Sequence, residues 1–237
     1  MIYGPHDYDL FYEDEDLKIG VEWRGRHFKY YRESNGEKVE KILAASGGRI
    51  IVNPVEPVNL PQKITNFLEI DFEKPVLIEP GTSVKLMVKF PVEIGVFVAS
   101  KKSVEVLDIF TLTKPKYTLY GTPMSGVVCR WYSSEIYFEL PETNPLKEGV
   151  MDITIKNTSN DWVEVQKAVF DGYSMKIYYG DIVGMVAEMK VIGKSVAETT
   201  FINRPIKSGL KKSLELYTAR MIPVVERKGF LMEWGLK

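Results

Sequence analysis

Every second residue is apolar in several stretches of this chain. Leu68, Ile70 and Phe72 alternate with Glu69, Asp71 and Glu73. Val84, Leu86, Val88 and Phe90 alternate with Lys85, Met87 and Lys89. Ile136, Phe138 and Leu140 alternate with Glu135, Tyr137 and Glu139, and Met151, Ile153 and Ile155 with Asp152, Thr154 and Lys156. Successive side chains of a strand point to opposite faces. Each stretch therefore predicts a strand with one buried and one wet face, as in antiparallel sheets solvated on one side. The 28 aromatic residues (13 Tyr, 11 Phe, 4 Trp) suit pleated surfaces.

Turn chemistry separates these runs. Asn35-Gly36 between 28–33 and 38–43 predicts a hairpin. Ser46-Gly47-Gly48, Pro80-Gly81, residues 157–161, Asp171-Gly172 and Gly193-Lys194 mark further turns. Such spacing predicts a mainly β fold, an antiparallel β-sandwich-like architecture with one or two short helices. Turn-rich sequence over 112–126 places a boundary there, giving two packed halves, 1–113 and 114–237. Helical spacing occurs at Ile206, Leu210, Leu214, Tyr217 and Met221, which predicts a helix over 206–221. The rival reading is a strand over 213–220.

Composition narrows the functional classes. With 31 basic and 32 acidic residues the net charge is −1, which predicts no attraction to nucleic acid or anionic membrane. The longest apolar runs, such as 95–99, are strand-sized, so no transmembrane segment is expected. The first residues carry no basic start and apolar stretch, so no export signal is expected either. A single cysteine, Cys129, forms no internal disulfide and fits a reducing, cytoplasmic setting. Lysine outnumbers arginine and only Gln62 and Gln166 are glutamines, a thermophile-like profile.

No motif carries recognisable catalysis. The acidic run at Asp7, Asp9 and 13–16 lacks calcium-loop spacing. His6, His27 and Cys129 are too few for a zinc site. Residues 121–126, Gly-Thr-Pro-Met-Ser-Gly, place Pro123 where a nucleophile elbow needs glycine. Cys129 sits in an apolar run and reads as a small core residue. The glycines at 47 and 48 lie between strand-like runs, where a hairpin is expected and a phosphate loop is not. No metal and no cofactor is expected.

The densest cationic and aromatic segment is 23–32. Trp23, Arg24, Arg26, His27, Tyr30, Tyr31 and Arg32 are its candidate binding residues, because arginine and aromatic side chains concentrate interface energy. Were Arg24, Arg26 and Arg32 merely solvated, alanine at each would change stability by less than ~0.5 kcal/mol. Only one of Tyr30 and Tyr31 can face the core, since strand neighbours point oppositely.

Both ends carry a further signal. Tyr3-Gly4-Pro5-His6, Lys18-Ile19-Gly20-Val21-Glu22-Trp23 and Phe230-Leu231-Met232-Glu233-Trp234-Gly235-Leu236 give the chain a texture that resembles an uncharacterised archaeal family, a domain of unknown function. The resemblance implies an archaeal cytoplasmic protein and brings no activity or site residues. The leading functional expectation is a non-catalytic binding or regulatory module that contacts a protein partner, a second copy or a small ligand. The alternative is a hydrolase, carbohydrate-active by one reading, whose carboxylates meet only in three dimensions, and a third reading is weak nucleic-acid binding through 23–32. A deep pocket of converging acids would favour the hydrolase, and an exposed apolar patch or open sheet edge the binding module.

Overall fold

Asn35 and Gly36 both adopt positive φ, 50° and 76°, and so make the tight hairpin their sequence predicts. The computed structural model that shows this describes residues 2–45, 48–61, 64–100, 103–216 and 229–237. Their strands in chain order are β1 (Gly4–His6), β2 (Phe11–Glu13), β3 (Leu17–Trp23), β4 (Phe28–Ser34), β5 (Glu37–Leu43), β6 (Arg49–Val55), β7 (Phe67–Ile78), β8 (Ser83–Pro91), β9 (Glu93–Ala99) and β10 (Val104–Phe110). There follow β11 (Tyr117–Tyr120), β12 (Val127–Ser134), β13 (Glu148–Asn157), β14 (Val163–Asp171), β15 (Tyr178–Tyr179), β16 (Val183–Gly193), β17 (Val196–Ile202), β18 (Lys211–Lys212) and β19 (Phe230–Met232). A 3-10 turn at Gly172–Ser174 begins at Asp171, whose side chain accepts the Tyr173 N–H.

Four sheets result. Sheet I has the order β1-β6-β9-β10 and sheet II the order β2-β3-β4-β5. Sheet III runs β11-β12-β7-β14, and sheet IV runs β18-β15-β16-β13-β8, with β17 joining β16 and β19 joining β17. Most pairs are antiparallel. The exceptions are β12 with β7 and β13 with β16, which are parallel.

Three of the four alternating stretches bury the faces that their pattern predicts. Leu68, Ile70, Leu86, Val88, Phe90, Met151, Ile153 and Ile155 are all buried. They share one apolar cluster with Ile19, Tyr30, Ile50 and Ile94 from sheets I and II. Residues either side of 113 also share main-chain ladders, because β7 pairs with β12 and β8 with β13. Sheet III and sheet IV are therefore each assembled from both sides of the expected boundary.

Two expectations meet a different geometry. Residues 206–210 form turns and Lys211–Lys212 a short strand, so the helical spacing does not make a helix there. Each apolar residue serves a separate contact instead. Ile206 packs on Gly184 and Leu210 on Gly180, where an added Cβ would meet them at 2.9 and 2.7 Å. Leu214 packs against the cluster of Val55, Phe97 and Leu216. The rest of the expected helix, 217–221, lies outside the described residues, as do Ser46 and Gly47 of the expected glycine turn.

The second concerns 135–140. The alternation there predicts a strand, yet β12 ends at Ser134 and only Tyr137 is bridged, to Met87 of β8. Phe138 is 74% exposed, and Leu140 is exposed too. The chain is crossing from sheet III to sheet IV at this point, so no neighbour covers its outer side chains.

Candidate functional site

The structure divides the cationic aromatic segment. Trp23, Arg24 and Arg26 are exposed at the tip of the β3–β4 hairpin, with His27 half-buried beside them. Trp23 packs on Phe28 at 4.8 Å between ring centroids, and Arg24 pairs with Glu22. Tyr31 is half-buried over Gly20, where only a glycine leaves room for its ring. Tyr30 and Arg32 point the other way, into the interface between sheets II and I. Arg32 is 3% exposed; its Nε donates to Asp108 at 2.7 Å, its Nη1 to Ser34 and its Nη2 to Glu37 at 3.2 Å. Tyr30 donates its hydroxyl to the same Asp108 oxygen at 2.8 Å. Both are among the expected contact residues; in the fold they are buried and satisfy a carboxylate between sheets.

Carboxylates do converge within sheet III. Glu69 and Asp71 lie two apart on β7 and so share a face. Alternation places both in water, but Glu69 is 1% exposed. Lys167 of β14 donates to Glu69 at 2.5 Å and lies 3.1 Å from Asp71. The Trp131 indole donates to Asp71 at 2.9 Å. Burial raises the Glu69 carboxyl, and Lys167 opposes the rise. The ammonium fills the space between the acids, where a hydrolase would need substrate and water. Cys129 is fully buried, and its thiol is pushed up to about 12 by desolvation, the opposite of an activated nucleophile. Among the described residues no group of three or more His, Cys, Asp and Glu side chains is placed to hold a metal ion, and no helix is long and apolar enough to cross a membrane.

A second polar cluster joins sheet I to sheet III. Glu93 accepts main-chain N–H groups from Asn59 at 3.0 Å and Leu60 at 3.3 Å. Arg130 of β12 lies beside it and over the Tyr117 ring, 5.7 Å from guanidinium to centroid. Burial pushes Glu93 up to about 7 and the neighbouring Glu56 up to about 8. This cluster is enclosed and holds loop 56–61 against the sheets.

The open concavity lies where the predicted strand at 135–140 fails to form. A groove of about 540 Å³ runs between residues 73–77 of β7 and residues 135–138. Val76 and Ile136 pack against the core below it. Leu77, 62% exposed, and Phe138 stand at its rim. Pro75 completes the apolar lining, and Glu73, Glu135 and Lys74 supply the charge. The volume and the mostly apolar lining with few charges are those of ligand sites in general.

Both walls of this groove carry unused main-chain groups. Opposed residues of an antiparallel pair exchange either both hydrogen bonds or neither. Glu164 of β14 exchanges both of its own with Lys237, at 2.8 and 3.0 Å. Its N–H and C=O therefore point away from β7. Leu77 is its partner on β7, so Leu77 also turns its N–H and C=O away from β14. Among the described residues no strand receives them, because β12 pairs with β7 only as far as Phe72. On the other wall Tyr137 exchanges both bonds with Met87, at 2.7 and 2.9 Å. The flanking Ile136 and Phe138 consequently face away from β8. Pro75 has no N–H to leave unpaired, the device by which proteins blunt exposed edges. Sequence reasoning missed this site because its residues read as an ordinary strand; Pro75 within an apolar run was the available signal of an edge.

A family model described as "Protein of unknown function (DUF432)" matches residues 2–234. No curated protein and no solved structure matches the chain.

Proposed function

As a member of the DUF432 family, which brings no activity with it, the chain is best read from its own geometry, and we propose that it is a non-catalytic binding module whose ligand site is the groove between 73–77 and 135–138. One observation carries this reading: an apolar groove of ligand size opens onto the core, with Leu77 and Phe138 left exposed at its rim. Exposed apolar groups of this size cost free energy in water, roughly 25 cal/mol per Å² that a partner could cover. The hydrolase alternative has less support, since Lys167 holds Glu69 and Asp71, and in the open acidic concavity at 13–18 and 33–38 Lys18 and Lys38 pair with Glu13 and Glu33. The single buried cysteine and the lysine-rich, glutamine-poor composition support an archaeal cytoplasmic setting.

The test is uptake of the neutral apolar dye N-phenylnaphthylamine, followed by fluorescence. The native chain should take it up saturably. Leu77→Lys and Phe138→Lys should lose it while melting as the native protein does. Uptake that is absent, or unchanged in both variants, contradicts the reading.

A further inference from the structure

We infer that the groove takes an extended polypeptide segment of another protein, which adds as a strand to the open edge of β7 and carries basic residues beside its apolar ones. The inference rests on the groove being a binding site at all, and goes beyond it in naming the ligand class.

Three observations select a strand over a small apolar molecule. First, the walls offer hydrogen bonds in a pattern that a main chain matches. Leu77 presents an N–H and a C=O to the open side, and Pro75, two residues before it, presents a C=O on the same side. A second strand supplies donors and acceptors at this two-residue repeat, whereas an apolar molecule leaves them facing a drying groove at a cost. Strand addition to an exposed edge is a general mode of peptide capture.

Second, the edge is interrupted and not absent. The β12 ladder runs beside β7 from Phe67 to Phe72 and stops, while β7 continues to Ile78. An incoming segment would extend sheet III past Ser134 without displacing any existing strand. Alternate side chains of that segment would enter the apolar space over Val76 and Ile136, and the others would face water.

Third, charge decides between partners. The lining has two carboxylates, Glu73 and Glu135, against one ammonium, Lys74. A second copy of this chain, paired edge to edge, would set acid against acid. A segment with lysine or arginine next to its apolar residues would neutralise the rim.

The experiment pans a displayed library of random dodecapeptides on the full chain. Enriched peptides should alternate apolar and polar residues and carry Lys or Arg near the apolar run. One of them is then resynthesised with N-methyl groups on alternate residues, in each of the two registers. Methylation in the paired register should weaken binding by about tenfold or more, the effect of losing main-chain hydrogen bonds, and methylation in the other register should not. Leu77→Lys should lose the peptide. Leu77→Pro, which removes the N–H, should also lose it; if that variant melts early, the methylated peptides still decide. Equal effects in both registers, enrichment of acidic peptides, or unchanged affinity in Leu77→Lys would overturn the inference. So would a dimer of the native chain that Leu77→Lys dissolves. Should dye enter the groove while no peptide is enriched, the strand inference fails and the groove survives as a small-molecule site. When neither binds, both readings fail.

Discussion

Arg32 of β4 and Asp108 of β10 form an ion pair across two sheets, Nε to carboxylate oxygen 2.7 Å, with the arginine 3% exposed. Removing one partner of such a pair leaves the other charge buried without compensation. Arg32→Ala should therefore cost about 3 kcal/mol or more in denaturant unfolding. Arg24→Ala and Arg26→Ala, at the exposed hairpin tip, should each change stability by less than ~0.5 kcal/mol. Equal small effects at all three positions would show that Arg32 is solvated.

Stability should fall as pH rises through neutrality. Glu56 keeps its proton in the folded state up to about 8, and Glu93 up to about 7. An unfolded glutamate loses its proton near ~4.3. Between these values the folded chain binds more protons than the unfolded one, so the slope of stability against pH is negative, roughly 1.4 kcal/mol per pH unit for each group. The contribution is complete below pH ~4.3 and is lost as the pH passes the folded values. Glu56→Gln should flatten the slope and raise the melting temperature at pH 8, because the amide carries no charge to desolvate. Melting curves across pH 5 to 9 provide the check. A slope that Glu56→Gln leaves unchanged would place the effect elsewhere.

Cys129 should be inert. Its thiol is fully buried and pushed up to about 12, so almost no thiolate exists near neutrality. Ellman's reagent should find no thiol in the native protein and one per chain after denaturation. Rapid labelling of native protein would mean that sheet III opens readily around β12, which lies between β11 and β7.

The surface groups of the groove should be separable from stability. Leu77→Lys and Phe138→Lys replace exposed side chains and should each shift unfolding by less than ~0.5 kcal/mol. A loss of several kcal/mol would show that these residues belong to the core.

Much of this fold is legible in the residues themselves. The period-two run at 84–90 buries the face it predicts, since packing on one side and water on the other is all such a strand requires, while the run at 151–155 buries its apolar face and Asp152 of the other face as well. Asn35-Gly36 fixes its hairpin by local geometry alone. What fails depends on contacts between distant segments. Glu69 has the position of a wet residue, but Lys167, ninety-eight residues later, makes its burial tolerable. Arg32 reads as a surface cation until Asp108 arrives from another sheet. Phe138 shows the converse: its pattern predicts burial, and the crossing between sheets leaves it uncovered. The candidate site emerges there because no local rule of alternation records where a strand's neighbour stops.

The central claim is that ligand enters between 73–77 and 135–138. Amide hydrogen exchange of the native chain, with and without saturating enriched peptide, measures this directly. Leu77, Ile136 and Phe138 should gain protection as their main-chain groups find partners, while Tyr137, already bonded to Met87, and the hairpin tip at 23–27 stay unchanged. Protection at the hairpin tip with none at Leu77 would contradict the account and return the contact surface to the cationic aromatic segment.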